Sequence, residues 1–448
     1  MSYSCFICNL AVRNTLFMHL KRYFILFLLA IVSLQVMHAQ SSACLYAESS
    51  MARRLGYQSY AVDSFQINTL GVEVDALAFF KDNEYDGDVQ YGYSLPGVRL
   101  QPRLTYTPIK EVKLELGLHG IIYAGANKYP CYVFHDIPTW KGEQYQSGAH
   151  MLPFFRVTGR FKNLTLALGD IYGGATHGLV EPLYNPELNL TDDPEMGCQL
   201  IVDTRRWHSD LWMNWQSYIF EESTHQEAFT VGWTQTVNLL NKRVKHTDVR
   251  HSLHLPIQVI LQHRGGEQDN TTLGVQTVAN GALGLQYEYL APQNRVFNAF
   301  SAEAMAMLCF QQSGKLLPFD NGNAIWVSAS ATFIRDLRLT LGLFSGKDFC
   351  SLYGNPFFGT LSTKHPGAQL DGVTTGLLSV EYSKTFAGAY TVGANVKAFL
   401  TSTGTFTRPA DAQNPQPTTH EGTFSTPFSF GMYFRCSPSF VIKRFIKS

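Results

Sequence analysis

The chain has 448 residues with 35 basic and 35 acidic side chains, so its formal charge is zero; only 16% is charged, against 45% hydrophobic and 13% aromatic. Soluble domains carry about 25% charged residues, and a neutral chain without a basic domain argues against nucleic acid as a partner. Thirty-one Phe, 22 Tyr and 6 Trp exclude a disordered chain, and no uncharged apolar run of about 18 residues follows the N-terminus, which excludes a bundle of membrane helices.

Residues 1–39 read as a secretory signal peptide. Lys21 and Arg22 form its basic start, Tyr23 to Val36 its apolar core, and Met37-His38-Ala39 precedes a cut before Gln40. Residues 1–17 are read as a start assigned too early, since a signal opens on its basic residues. The alternative is an anchor helix, but about 14 apolar residues are short for a bilayer core of about 30 Å. Residues 40–64 are left as a periplasmic stub or a small plug. Six cysteines follow residue 39, scattered and without metal-ligand spacing, so neither a metal nor a cofactor is expected.

From residue 65 onward the chain alternates apolar and polar residues with period two, the pattern of half-buried strands. Val112, Leu114, Leu116 and Leu118 alternate with Lys113, Glu115, Gly117 and His119; Leu164, Leu166 and Leu168 alternate with Thr165 and Ala167. About sixteen such runs are predicted, near 66–80, 97–107, 112–123, 151–161, 164–172, 197–206, 209–220 and 228–239, then 251–263, 272–290, 296–310, 323–333, 337–344, 373–385, 389–400 and 423–435. Short connections such as Lys162-Asn163 and Arg335-Asp336 alternate with long ones such as Gly173 to Met196 and Ser345 to Gly372. A closed antiparallel transmembrane barrel requires that cadence, with tight periplasmic turns and long external loops. The expected fold is therefore all-β: a barrel over 65–435 of sixteen strands, fourteen as runner-up, with a basic periplasmic tail over 436–448. Tyr123, Tyr172, Trp212, Trp215, Phe220 and Trp233 are expected at the membrane interfaces.

With these features the chain resembles Gram-negative outer-membrane β-barrel proteins of the porin-like type. Phe428, Phe430, Met432 and Phe434, on one face of the last strand, look like the barrel-assembly signal of that class. The resemblance implies location in the cell outer membrane. It also implies a third external loop folded inward against a basic wall. The wall expected here is Arg99, Arg103, Arg156, Arg160 and Arg205; the loop contributes Glu181, Glu187, Asp192, Asp193 and Glu195, and its Gly173-Gly174 start permits a sharp bend. An acidic loop facing arginines would select polar solutes. Calcium binding by Asn189, Asp192, Asp193 and Glu195 has the right oxygen ligands but no known loop spacing.

The expected function is thus a porin-like channel for passive passage of small polar solutes. Two alternatives stay open: a transporter of hydrophobic compounds, and a non-conducting scaffold that binds partners through its loops. The expected partners are outer-membrane lipid, small polar solutes and the barrel-assembly machinery, with a homo-oligomer left open. No G-x-S-x-G elbow and no His-Glu-x-x-His occur. His177 and His225 lie in loops with no nucleophile named beside them, so the chain is not expected to be an enzyme.

Overall fold

The computed structural model describes residues 55–62, 67–126, 146–220, 223–245, 247–266, 274–334, 336–365, 367–408 and 416–445. The expected signal peptide lies outside these residues. Sixteen long strands among them form one sheet that closes on itself. They are β1 (Thr69–Glu84), β2 (Tyr93–Ile109), β3 (Val112–Ala126), β4 (Gln146–Phe161), β5 (Leu164–Asp170), β6 (Met196–Asp203), β7 (Trp207–Ser217) and β8 (Ala228–Arg243). The second half comprises β9 (Arg250–Arg264), β10 (Gln276–Leu290), β11 (Phe297–Ser313), β12 (Asn321–Phe333), β13 (Leu337–Lys347), β14 (Val373–Phe386), β15 (Tyr390–Thr403) and β16 (Phe428–Cys436). Each strand pairs antiparallel with its sequence neighbours, and β16 pairs with both β15 and β1 to close the barrel. The expected fold class and strand number are met.

The side-chain alternation explains which face meets lipid. Leu100, Leu104, Leu116, Leu118, Leu168, Leu283, Leu341 and Phe434 all project outward, each more than 40% exposed. Their polar neighbours Gln101, Thr105, Glu115, Thr158, Thr165 and Gln199 are buried inside. An outward apolar belt around a closed sheet is the arrangement a bilayer demands. The protein is an integral barrel of the outer membrane.

Two expectations about the wall are corrected. The last residues are not a free basic tail: Ser439–Arg444 form a further strand segment whose residues pair with Thr69–Glu73 of β1. β1 begins below the start of β15, so its lower edge would otherwise present unpaired backbone groups. The Pro438 carbonyl bridges the gap by accepting the Val74 N–H at 3.1 Å. Tyr123, Tyr172 and Trp212, expected at the membrane interfaces, point into the lumen and are buried. Phe220 alone of the six stands far out, at 83% exposure.

A sixteen-stranded barrel is too wide for its wall side chains to fill, and two external loops occupy the space. One, between β5 and β6, carries Leu183, Tyr184 and Leu188; the other, between β13 and β14, carries Phe349, Leu352, Phe357 and Phe358. Together with Met305, Met307, Trp326, Phe344 and Phe399 of the wall they form one buried apolar cluster. Phe357 lies stacked on Phe399 at 4.6 Å, and Trp326 packs on Phe358 at 5.0 Å. Residues 55–62 enter the lumen from the other end. Leu55 seats against Leu77, Phe79 and Leu190, and the Tyr60 hydroxyl donates to Asp203 at 2.9 Å.

Leu116, 60% exposed at mid-strand, tests the orientation. Leu116→Arg should destabilise the barrel by about 2–4 kcal/mol in reversible unfolding from lipid vesicles. An unchanged unfolding midpoint would mean this face does not meet lipid.

Candidate functional site

Four of the five arginines expected on a basic wall are where the alternation puts them. Arg99 and Arg103 of β2 and Arg156 and Arg160 of β4 face the lumen. Arg205 does not: it sits exposed in the tight turn between β6 and β7, where its carbonyl accepts from Asn238. The strand ends at Asp203, two residues before it.

The loop between β5 and β6 does fold inward. Gly174 takes a left-handed φ of +58°, and a Cβ on Gly173 would collide with the Glu195 carboxylate. Its carboxylates nevertheless avoid Arg103 and Arg156. Glu187 pairs with Lys81 and accepts from Asn83 and Tyr93. Glu181 meets Lys397 at 2.8 Å, and Asp193 lies 3.6 Å from His119. Asp192 borders a crevice beside Arg99 and Arg435, and Glu195 accepts the Gly174 N–H at 2.8 Å. The expected constriction between loop acids and those two arginines is therefore absent among the described residues. Sheet register gives the reason. Glu73 lies directly across from Arg103, and Glu115 directly across from Arg156, so the wall's own acids reach the arginines first. Arg103 sits 3.4 Å from Glu73 and 3.6 Å from Glu115. Arg156 lies 3.6 Å from Glu115 and donates to the Ile171 carbonyl at 3.0 Å.

His177 fastens this loop to the wall. Its Nδ1 lies 2.8 Å from Asp210 of β7, its Nε2 3.2 Å from Glu195, and its ring stacks on Trp212 at 3.6 Å. The Trp212 ring can lie flat because Gly232 beneath it has no side chain. Burial alone would push the imidazole pKa down, but Glu195 and Asp210 overturn this and hold it at about 9. A cation clamped by two acids is a fastening, not a base, at neutral pH.

A second histidine is set differently. His365, in the loop between β13 and β14, sits at the external rim where three connections meet. Its Nε2 lies 3.2 Å from Asp88 Oδ1, in the β1–β2 loop, and 3.0 Å from Arg408 Nη2. Thr423 donates to the other Asp88 oxygen at 3.2 Å, and the His365 N–H donates to Ser362 Oγ at 2.9 Å. A small sheet of residues 369–370, 406–408 and 418–420 carries Arg408 and Phe406, and Phe406 stacks parallel to the imidazole. Lys364 Nζ donates to the Gly87 carbonyl at 2.6 Å and lies over the Tyr91 ring. Burial, with Arg408 and Lys364 adding to it against Asp88, holds the His365 pKa below its usual range. It is neutral at pH 7, half-buried and flanked by two cations. Sequence reasoning missed it, because Asp88 and His365 are 277 residues apart. The other loop histidine it noted, His225, is exposed and bonds the Tyr218 carbonyl.

The His177 clamp gives a signed pH dependence. With a folded pKa raised from about 6.5 to about 9, its stabilisation is complete below the unfolded value and lost as pH rises through the folded one. The thermal unfolding midpoint should therefore fall as pH rises from about 6.5 to about 9. His177→Gln should lower the neutral-pH midpoint and flatten that alkaline decline; an unaltered alkaline limb would refute the clamp.

Solved structures of similar fold include OccAB4 of Acinetobacter baumannii, at 8% identity and TM-score 0.41 over 84% of this chain and 100% of that one. OprD, an outer membrane protein from Pseudomonas aeruginosa, shows 9% identity and TM-score 0.43 over 86% of this chain and 97% of its own. OmpT, an outer membrane protein of Vibrio cholerae, shows 10% and 0.41 over 83% and 99%. The expected likeness to outer-membrane barrels is met. No curated protein matches the sequence. Residues 62–445 match a family described as lipid A 3'-O-deacylase-type. That match corrects the expectation that the chain is not an enzyme, which rested on two missing motifs that other hydrolases do without. Nearly the whole barrel being matched, the chain belongs to the lipid A 3'-O-deacylase-type family.

Proposed function

We propose that the protein removes an ester-linked acyl chain from lipid A at the external rim of the barrel. The observation that carries this reading is the Asp88–His365 pair, with Arg408 and Lys364 beside it, on loops facing the outer leaflet. In the tautomer whose Nε2 proton is directed at Asp88, Nδ1 is the basic nitrogen, and Arg408 beside Nε2 contributes charge rather than a hydrogen bond to the ring. Ser362 is fully buried and donates to the Asp88 carbonyl at 2.5 Å, so a water molecule rather than this serine serves as nucleophile. His365 takes a proton from that water as its oxygen attacks the ester carbonyl. When the tetrahedral intermediate collapses, the same proton passes to the departing 3'-oxygen, leaving a free hydroxyl and a carboxylic acid. Arg408 and Lys364 offer positive charge for the oxyanion or for the anionic headgroup.

Passive passage of small polar solutes is the second reading, favoured by a polar cavity of about 280 Å³ in the lower lumen. The apolar packing of two loops across mid-height opposes it.

Mass spectrometry of lipid A from cells producing the protein should show loss of one acyl chain. His365→Ala should slow that loss about 100-fold or more, and Asp88→Asn should do so to a similar degree. Activity should be complete at neutral pH and decline only as pH falls through the lowered His365 value. Unaltered lipid A with the wild type, or full activity in His365→Ala, would overturn the assignment.

A further inference from the structure

Below the packed loops, at the end of the barrel that carries the tight turns, the wall encloses a cavity of about 280 Å³. Four cations line it: Arg103, Lys113, Arg156 and Arg435. Three carboxylates answer them: Glu73, Asp75 and Glu115. Arg99, 3.6 Å from Asp75, adds a fifth cation to the same group. Asp170, the one further carboxylate beside Arg156, accepts the Phe155 N–H at 2.5 Å. Within the cavity's own lining, four cations face three carboxylates.

The pairs are unequal in quality. Arg435 grips Asp75 with two hydrogen bonds of 2.8 and 3.1 Å, and Lys113 meets Glu73 at 2.8 Å. Arg103 stands between Glu73 and Glu115 at 3.4 and 3.6 Å, longer than the roughly 2.7–2.9 Å of a charge-assisted hydrogen bond. Its Nε is buried and makes no hydrogen bond among the described residues. A buried guanidinium held by one long hydrogen bond to Glu73 and a longer contact with Glu115, its Nε unpartnered, is poorly compensated.

We propose that this vestibule binds a small oxyanion from the periplasmic side, held by Arg103 with Lys113 and Arg156 around it. The ligand chemistry is that of a phosphate or a carboxylate, whose planar oxygen pairs match the guanidinium fork. The site is separate from the external rim and does not depend on the hydrolase reading.

The test is thermal unfolding of the full-length protein in detergent, titrated with inorganic phosphate against sodium chloride of equal ionic strength. Phosphate should raise the midpoint of the wild type where chloride does not. Arg103→Gln should weaken apparent phosphate affinity at least tenfold. Arg408→Gln, which alters only the external rim, should leave the response intact. Should Arg103→Gln fail to fold, Lys113→Gln serves in its place with the same expected direction. Equal responses to phosphate and chloride would overturn the proposal. So would a response that survives Arg103→Gln or Lys113→Gln, or one abolished by Arg408→Gln.

Discussion

The structure depends first on the backbone's need for partners where no water is available. In lipid, every strand N–H and C=O must find a neighbour, so the sheet has to close. Closure with sixteen strands then sets the remaining terms. It leaves β1 longer than the wall beside it, and Ser439–Arg444 cover the exposed edge. It also leaves a lumen too wide for wall side chains to fill. The loops between β5 and β6 and between β13 and β14 fill it with Leu183, Leu352, Phe357 and Phe358, all with almost no exposed surface.

Bringing polar loops into that lumen confines charge, and the confined charges are paired one by one. Lys81 and Lys397 meet Glu187 and Glu181; His177 joins Glu195 to Asp210. Breaking one partner of such a pair strands the other in a low-dielectric interior, which is far costlier than losing a surface ion pair. The inward loop is therefore fixed by fastenings at several points along its length. In a barrel filled in this way, both proposed sites lie at its ends. The external rim holds a neutral imidazole beside an acid, and the lower vestibule holds surplus cations.

Much of this was legible in the sequence. Period-two alternation located sixteen strands and put leucines outward, because a strand's side chains strictly alternate between the two media. The inward fold of the third loop followed from Gly173-Gly174 and from the likeness to porin-like barrels. What was not legible depends on register. That Glu73 faces Arg103, and Glu115 faces Arg156, follows only once strands are aligned, and this removed the expected partners of the loop acids. Arg205 was misplaced because β6 ends two residues earlier. The second inward loop left a signal that went unused: Phe349, Leu352, Tyr353, Phe357, Phe358 and Leu361 are too apolar for a solvated loop. The Asp88–His365 pair left none, as it joins two loops from opposite ends of the chain.

The central claim is that the lumen is sealed at mid-height and that function sits at its ends. Planar-bilayer recording of the purified protein tests it most directly. The account predicts insertion without steady ion current, since two apolar-packed loops cross the barrel. A stable ohmic conductance from the wild-type protein would contradict it and return the barrel to the class of open channels.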